Sequence, residues 1–299
     1  MSNVSVIIPT YQRANLVSET IESVLVQTYT DYEIIVVNDG STDNTREVLA
    51  RFGNRITVIH QENKGPSVAR NTGIMASQGQ YIAFIDDDDL WVPNKLEKQV
   101  SCFESNPNIG LVYSNILFFN DYHVSADIWP KRSHPPGVLK NWMLFELNFI
   151  PILSVMVRRE CLDEVGLFDQ TLKYCEDYDL WLRIIEKFSV HFLNKPLGFY
   201  RLSSTNSLSK NKEQILLNEI HIKEKAFSRN PNLTKLPLKL LDQSFYSKYL
   251  TLAHFYIHHY QGEKARLVLN KYRQARGIDS IYEWLWQMSF PALNSSPHL

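Results

Sequence analysis

The chain has 299 residues, 44% of them hydrophobic and 21% charged, with 31 basic and 32 acidic side chains and a formal net charge of -1. That balance lacks the basic excess of a nucleic-acid-binding surface, and the length suffices for one large domain plus an appendage. The three cysteines, Cys102, Cys161 and Cys175, are odd in number and without metal-type spacing, so they read as reduced thiols. No apolar run approaches the roughly 20 residues that span a bilayer, and no basic-then-apolar secretion signal opens the sequence, so a cytoplasmic protein is expected.

Val4 to Ile8 reads as a buried parallel-type strand ended by Pro9, which has no N–H for a ladder. Thr10-Tyr11-Gln12-Arg13 forms the turn, and Val17, Ile21, Val24 and Leu25 then share one helix face. Glu33 to Val37 is a second strand, leading into Asn38-Asp39-Gly40-Ser41-Thr42-Asp43. There Gly40 suits a tight turn, and the next three residues are N-cap types for a helix carrying Val48 and Leu49. Ile56 to Ile59 is a third strand, followed by a helix from Pro66 to Ala76 that bears Arg70 and Asn71. Tyr81 to Ile85 is a fourth, running straight into the consecutive carboxylates Asp86, Asp87, Asp88 and Asp89.

Alternating helices and throughout-apolar strands predict βαβ units and a parallel sheet covered on both faces. In such sheets ligands sit outside the carboxyl ends of the strands. Three of those ends carry polar sets, Pro9-Thr10-Tyr11, Asp39-Gly40-Ser41 and Asp86 to Asp89, which converge on one rim. Adjacent carboxylates repel, so a hard divalent cation with oxygen ligands is the natural partner; a solvated acidic loop is the blander alternative. Neither Gly-x-Gly-x-x-Gly nor Gly-x-x-x-x-Gly-Lys follows the first strand, which argues against a dinucleotide enzyme or a P-loop ATPase.

Beyond Trp91, the spacing of Leu96, Val100 and Phe103 predicts a helix, and Ile109 to Phe119 and Ile152 to Val157 read as strands. The proline-bearing stretch from Asp121 to Gly137 reads as a loop able to cover an acceptor. Trp181, Ile184, Ile185 and Phe188 share a helix face, which puts Glu176 and Asp177 at that helix's N-terminus. There the dipole favours an anionic Asp177, with simple N-capping as its alternative. Ser203 to Ser209 reads as a linker. From Lys210 the pattern is helical, with a hairpin turned at Gly262 and a last apolar segment, Ile281 to Met288, open to packing, a dimer contact or a membrane surface. The expected division is therefore residues 1–209 and 210–299.

Val6-Ile7-Ile8-Pro9-Thr10-Tyr11, Val37-Asn38-Asp39-Gly40-Ser41-Thr42-Asp43, Ala69-Arg70-Asn71-Thr72-Gly73, Phe84-Ile85-Asp86-Asp87-Asp88-Asp89 and Glu176-Asp177-Tyr178-Asp179-Leu180-Trp181 occur in that order. Together, over about residues 4 to 209, they resemble the family-2 inverting glycosyltransferases of the GT-A fold. The resemblance implies an α/β, Rossmann-like, mostly parallel sheet flanked by helices, with a C-terminal helical extension. It also implies a nucleotide-diphosphate sugar donor (UDP favoured), Mg²⁺ or Mn²⁺, and a glycan or lipid-linked acceptor in surface polysaccharide assembly. On the matching positions, Pro9, Thr10 and Tyr11 line the donor, Asp39 contacts the nucleoside, and Arg70 lies near the base and diphosphate. Asp86 and Asp88 form the Asp-x-Asp pair, with Asp86 toward the ribose, Asp87 beside it and Asp88 on the metal. Asp177 is the catalytic base. Asn38 stands where an aspartate is more usual, and Leu202 and Ser203 where a histidine is frequent. The Gln-x-x-Arg-Trp motif of processive synthases is absent, which favours transfer of a single sugar. A peripheral membrane contact at the inner face, or a homodimer through the C-terminal helices, stays open. A non-catalytic sugar-nucleotide binder is the main alternative, and a nucleotidyltransferase a weaker one, since Pro9 to Arg13 supplies no phosphate loop.

Overall fold

The computed structural model describes residues 3–120, 122–130, 137–138, 148–202, 211–232, 241–277 and 279–290. The chain divides into two compact units, Met1–Leu144 with Asn148–Asn206, and Phe145–Leu147 with Ser207–Leu299.

The first unit is α/β, built on one sheet. Strands β1 (Val4–Thr10), β2 (Tyr32–Asp39), β3 (Thr57–Gln61) and β4 (Tyr81–Phe84) alternate with helices α1 (Ala14–Leu25), α2 (Thr45–Ala50) and α3 (Pro66–Ala76). All four strands are parallel, with β1 paired to β2 on one side and β4 on the other. Every residue of β1 is buried, the burial expected of a strand covered on both faces. Helix α3 crosses close beneath it: a Cβ on Gly73 would come within 2.6 Å of Ile7 Cγ2, so only glycine allows this approach.

The rest of the sheet is mixed. The two-residue β5 (Leu90–Trp91) precedes helix α4 (Lys95–Ser105) and the long β6 (Ile109–Asn120). Then come β7 (His123–Trp129), β8 (Gly137–Val138), β9 (Met156–Arg158), helices α5 (Arg159–Val165) and α6 (Glu176–Ile185), and β10 (Ser189–Arg201). β10 runs parallel to β6 and antiparallel to β5, and β9 runs antiparallel to both β4 and β6.

Two expectations need correction. Within the stretch expected to be a loop, His123 to Trp129 is an edge strand antiparallel to β6; residues 121 and 131–136 lie outside the described set. The Asn120 carboxamide oxygen accepts the N–H groups of Tyr122 and His123, which closes the hairpin. Its side chains are mostly exposed, so no apolar alternation marked it in the sequence. Ile152–Ser154 is a 3₁₀ turn, and the strand is only the following Met156–Arg158. The presumed linker from Ser203 to Ser209 falls outside the described residues.

The second unit is helical: α7 (Lys212–Arg229), a π-helical turn at Asp242–Tyr246, α8 (Ser247–His258), α9 (Gly262–Arg276) and α10 (Ser280–Met288). Helices α8 and α9 form the hairpin, and both pack against α10. Tyr249, Leu252, Ala253 and Tyr256 of α8, Ala265, Leu269 and Tyr272 of α9, and Tyr282 and Leu285 of α10 are buried, and Tyr272 stacks on Tyr282.

Candidate active site

The carboxyl ends of β1, β2 and β4 do form one rim, and side chains cross-link it. At the end of β2, Asn38 rather than Asp39 closes the Asx turn, its Oδ1 accepting the Ser41 N–H at 2.9 Å. Gly40 follows at φ +79°, where an added Cβ would come 2.6 Å from the Asn63 nitrogen. Asp39 is buried and holds the neighbouring loop instead. Its Oδ1 accepts from Gln61 Nε2 at 2.7 Å and the Lys64 N–H at 3.0 Å, and its Oδ2 accepts the Gly65 N–H at 2.8 Å. A carboxylate has about four lone-pair sites, so this arrangement leaves room for a further donor.

The β1 turn reaches both neighbours. The Gln12 N–H donates to Ser41 Oγ at 3.0 Å, and the Tyr11 N–H donates to Asp87 Oδ2 at 3.3 Å. The Thr10 hydroxyl is buried near the Asp87 carboxyl without a well-formed hydrogen bond, an orphaned polar atom facing the rim. Tyr11 is exposed. Burial pushes the Asp87 pKa up to about 7, opposed by the nearby Thr10 hydroxyl and reinforced by Asp88 and Asp86.

The four consecutive carboxylates have four different surroundings. Asp86 accepts from Arg70 Nη2 at 2.7 Å. Asp87 takes the Tyr11 N–H. Asp88 stands 3.6 Å from Arg13 Nη1, and burial and the Asp86 charge raise its pKa. Asp89 is fully buried and structural, accepting the Arg201 N–H at 2.9 Å, and burial holds its pKa well above the usual carboxylate range. Arg201 also donates from Nε to the Asp88 carbonyl at 2.9 Å and from Nη2 to Glu19 at 2.5 Å. Asp86 and Asp88 are hard oxygen donors that repel each other, which fits a divalent cation. Among the described residues no third His, Cys, Asp or Glu joins them, so the other coordination positions would fall to phosphate oxygens and water.

Arg70 connects this acidic turn to α6. Its Nη1 donates to Glu176 Oε1 at 2.5 Å, and its guanidinium carbon lies 5.5 Å from the centre of the Phe168 ring. Burial alone would lower its pKa, but Asp86 and Glu176 outweigh it and hold it above normal. The next residue, Asn71, clamps the segment before α6, donating to the Phe168 carbonyl at 2.9 Å and accepting its N–H at 3.0 Å. Phe168 in turn packs edge-on against Phe84 and Trp181. Cys175, in the left-handed region at φ 58°, turns the chain sharply into the helix, so Glu176 and Asp177 are its first two residues.

Asp177 Oδ1 accepts the Tyr178 N–H at 2.7 Å and lies 3.5 Å from Asn148 Nδ2. Its pKa is raised to about 7, first by burial and then by the adjacent Glu176, with Arg70 working in the opposite direction. Burial and the Glu176 charge thus oppose the helix dipole that was expected to favour an anionic Asp177. A carboxylate titrating near neutrality is well matched to accepting and releasing a proton.

Sequence reasoning missed Glu176, Arg13 and Arg201 as parts of this rim. Arg13 sits in the turn after β1 and Arg201 at the end of β10; their only sequence signal is a cation at a strand's carboxyl end. Glu176 had the signal of lying beside Asp177, but its partner is far away in sequence.

A family model described as Glycosyl transferase family 2 matches residues 5–166. The Escherichia coli protein UDP-Glc:alpha-D-GlcNAc-diphosphoundecaprenol beta-1,3-glucosyltransferase WfgD is 37% identical over 215 residues, covering 70% of this chain and 80% of that protein. The fold is similar to that of S. aureus TarS 1-349 in complex with UDP-GlcNAc, at a TM-score of 0.64 and 18% identity over 96% of this chain and 91% of that one. It is also similar to the Pyrobaculum calidifontis mannosyltransferase PcManGT in complex with GDP-Man and Mn²⁺, at 0.58 and 16% over 96% and 84%. The chain spans 60% of the length of its curated relatives from Rickettsia typhi and Rickettsia prowazekii. On the family-model match and the E. coli relative together, this chain belongs to glycosyl transferase family 2.

Proposed function

We propose that the protein is an inverting glycosyltransferase, moving one sugar from a nucleotide-diphosphate sugar to an acceptor hydroxyl by a single displacement. The observation that carries the reading is the position of Arg70, which joins Asp86 of the acidic turn to Glu176, the neighbour of Asp177. A donor-binding edge and a proton acceptor with a pKa near 7 are thereby held on one rim. Asp177 takes the proton of the acceptor hydroxyl as its oxygen attacks the anomeric carbon and the bond to the diphosphate oxygen breaks. Such base assistance is worth about 10²–10⁴-fold. Thr10 and Asp39 would face the nucleoside, with Pro9 and Tyr11 completing that wall and Asp86 and Asp87 toward the ribose. Asp88, with Asp86, would hold Mg²⁺ or Mn²⁺, which when bound neutralises charge on the departing diphosphate.

A UDP-sugar is the favoured donor, supported by the UDP-sugar named for the E. coli relative and by the fold shared with a UDP-GlcNAc complex. The same relative's name carries an undecaprenol-linked diphosphate, which supports a lipid-linked acceptor in surface polysaccharide assembly, reached from the cytoplasmic side. Incubation with UDP-, GDP- and dTDP-sugars, with and without Mg²⁺ or Mn²⁺, tests the reading. Metal-dependent release of a nucleoside diphosphate with acceptor supports it. Thermal stabilisation without release would identify a binder, and neither response to any donor would overturn it.

A further inference from the structure

Helix α10 buries one side and leaves another largely exposed. Tyr282, Leu285 and Ser289 are buried, while Ile281, Trp284 and Met288 are 54%, 51% and 44% exposed. At 3.6 residues per turn, positions i, i+3 and i+7 form a single stripe. Trp284 stacks on His254 of α8 with ring centroids 6.2 Å apart, and His254 meets His258 at 4.4 Å, so the stripe is flanked by two histidines. Just past the helix, Phe290 is 51% exposed and lies beneath the Arg266 guanidinium, 4.9 Å from its ring centre. The one carboxylate of the helix, Glu283, sits about 100° round from Trp284.

Charge indicates what covers this stripe. Residues 207–299 contain 13 Lys and Arg against 7 Asp and Glu, a net of +6 in a chain whose total is -1. The ion pairs Glu213–Lys264, Glu219–Lys248 and Asp242–Arg276 each remove one charge of each sign and leave that excess unchanged. An amphipathic helix showing Trp, Ile and Met from a basic body is complementary to an anionic lipid surface, where the apolar side chains enter the headgroup boundary and the cations meet the phosphates. No described helix is long and apolar enough to cross a membrane.

We propose that the Ile281–Trp284–Met288 stripe of α10 is a docking surface for anionic phospholipid bilayers. The surface extends the lipid-linked acceptor reading, and its test needs no glycosyl transfer. The full-length protein is mixed with phosphatidylglycerol-containing vesicles or with pure phosphatidylcholine vesicles and sedimented. Trp284→Glu/Met288→Glu is compared with Met75→Glu, an exposed apolar residue of α3 in the other unit. Retention on the anionic vesicles alone, weakened by salt, lowered about tenfold or more by the double substitution and unchanged by M75E, is the expected result. Wild-type protein that ignores anionic vesicles overturns the proposal. So does binding that salt removes but the double substitution does not touch. A concentration-dependent dimer in sedimentation velocity, abolished by W284E/M288E without vesicle binding, would assign the stripe to a second copy instead. Circular dichroism melts of the double variant establish that it is folded. Vesicle binding by a protein that turns over no donor would sink the transferase reading and leave this one standing.

Discussion

Arg70 Nη1 and Glu176 Oε1 are 2.5 Å apart, although the two residues are 106 positions apart in the chain. The pair is buried, and its guanidinium also serves Asp86, so one cation sets the separation between the donor-side turn and the helix that begins with Asp177. Glu176→Ala leaves half of that cation unpaired in the interior, and breaking a buried pair in this way typically costs about 3–5 kcal/mol. Glu176→Gln retains an acceptor for Nη1 and should lose much less. Denaturant unfolding of the two variants checks the order; equal stabilities would mean that the pair contributes nothing.

Asp177→Asn removes the proton acceptor while keeping the hydrogen bond from the Tyr178 N–H. Transfer should fall by about 10²–10⁴-fold, with donor affinity within a factor of about two. Steady-state kinetics beside calorimetric titration of the donor separate the two quantities. Wild-type turnover in D177N would take Asp177 out of the reaction.

The Asp177 pKa of about 7 gives the rate a pH dependence of known sign. Its carboxyl must be deprotonated to accept a proton, so kcat/KM should climb as pH rises through about 7 and level off above it. The folded-state pKa lies above the unfolded 3.8, so its contribution to stability runs the other way: full below pH 3.8 and lost as pH rises through about 7. Melts across that window should decline while activity rises. A rate flat across neutral pH would contradict the assignment.

Asp87 has a raised pKa of the same size from burial and the neighbouring Asp88 and Asp86 charges. Asp87→Asn keeps an acceptor for the Tyr11 N–H without the charge. It should raise Tm most at pH 8, where the wild-type carboxylate is ionised, and less at pH 5. An equal shift at both values would point to packing rather than charge.

Asp88→Asn weakens the proposed metal contact but leaves the nucleoside wall intact. Mg²⁺ or Mn²⁺ should raise the wild-type melting temperature in the presence of UDP and do so far less in D88N. EDTA should reverse the wild-type effect. Identical metal dependence in both proteins would move the cation elsewhere.

The parts of the fold that follow from local pattern were legible in the sequence. Continuous apolar runs gave β1, β2 and β4, and the spacing of Trp181, Ile184 and Ile185 placed Asp177 at the start of its helix. Partners could not be read in the same way. The resemblance put Arg70 near the diphosphate, but only the fold shows it joining Asp86 to Glu176. Asp39 was recognised as a rim residue, but its grip on Gln61, Lys64 and Gly65 depends on β2 and β3 lying side by side. The edge strand β7 escaped because exposure on both faces erases the alternation by which a strand is recognised.

β10 has a consequence for how the molecule comes into being. Its last residue, Arg201, bonds Asp89 from 112 positions away and Glu19 from 182, while the strand itself lies between β6 and β5. During synthesis the first four strands and their helices are complete long before Arg201 leaves the ribosome, yet the Asp89 carboxylate and the Asp88 carbonyl lack the bonds from Arg201 until it arrives. Contacts spanning so much of the chain form late. Products cut short before β10 should therefore be inert rather than partly active, and exposed to proteolysis at the turn that Arg201 would have closed.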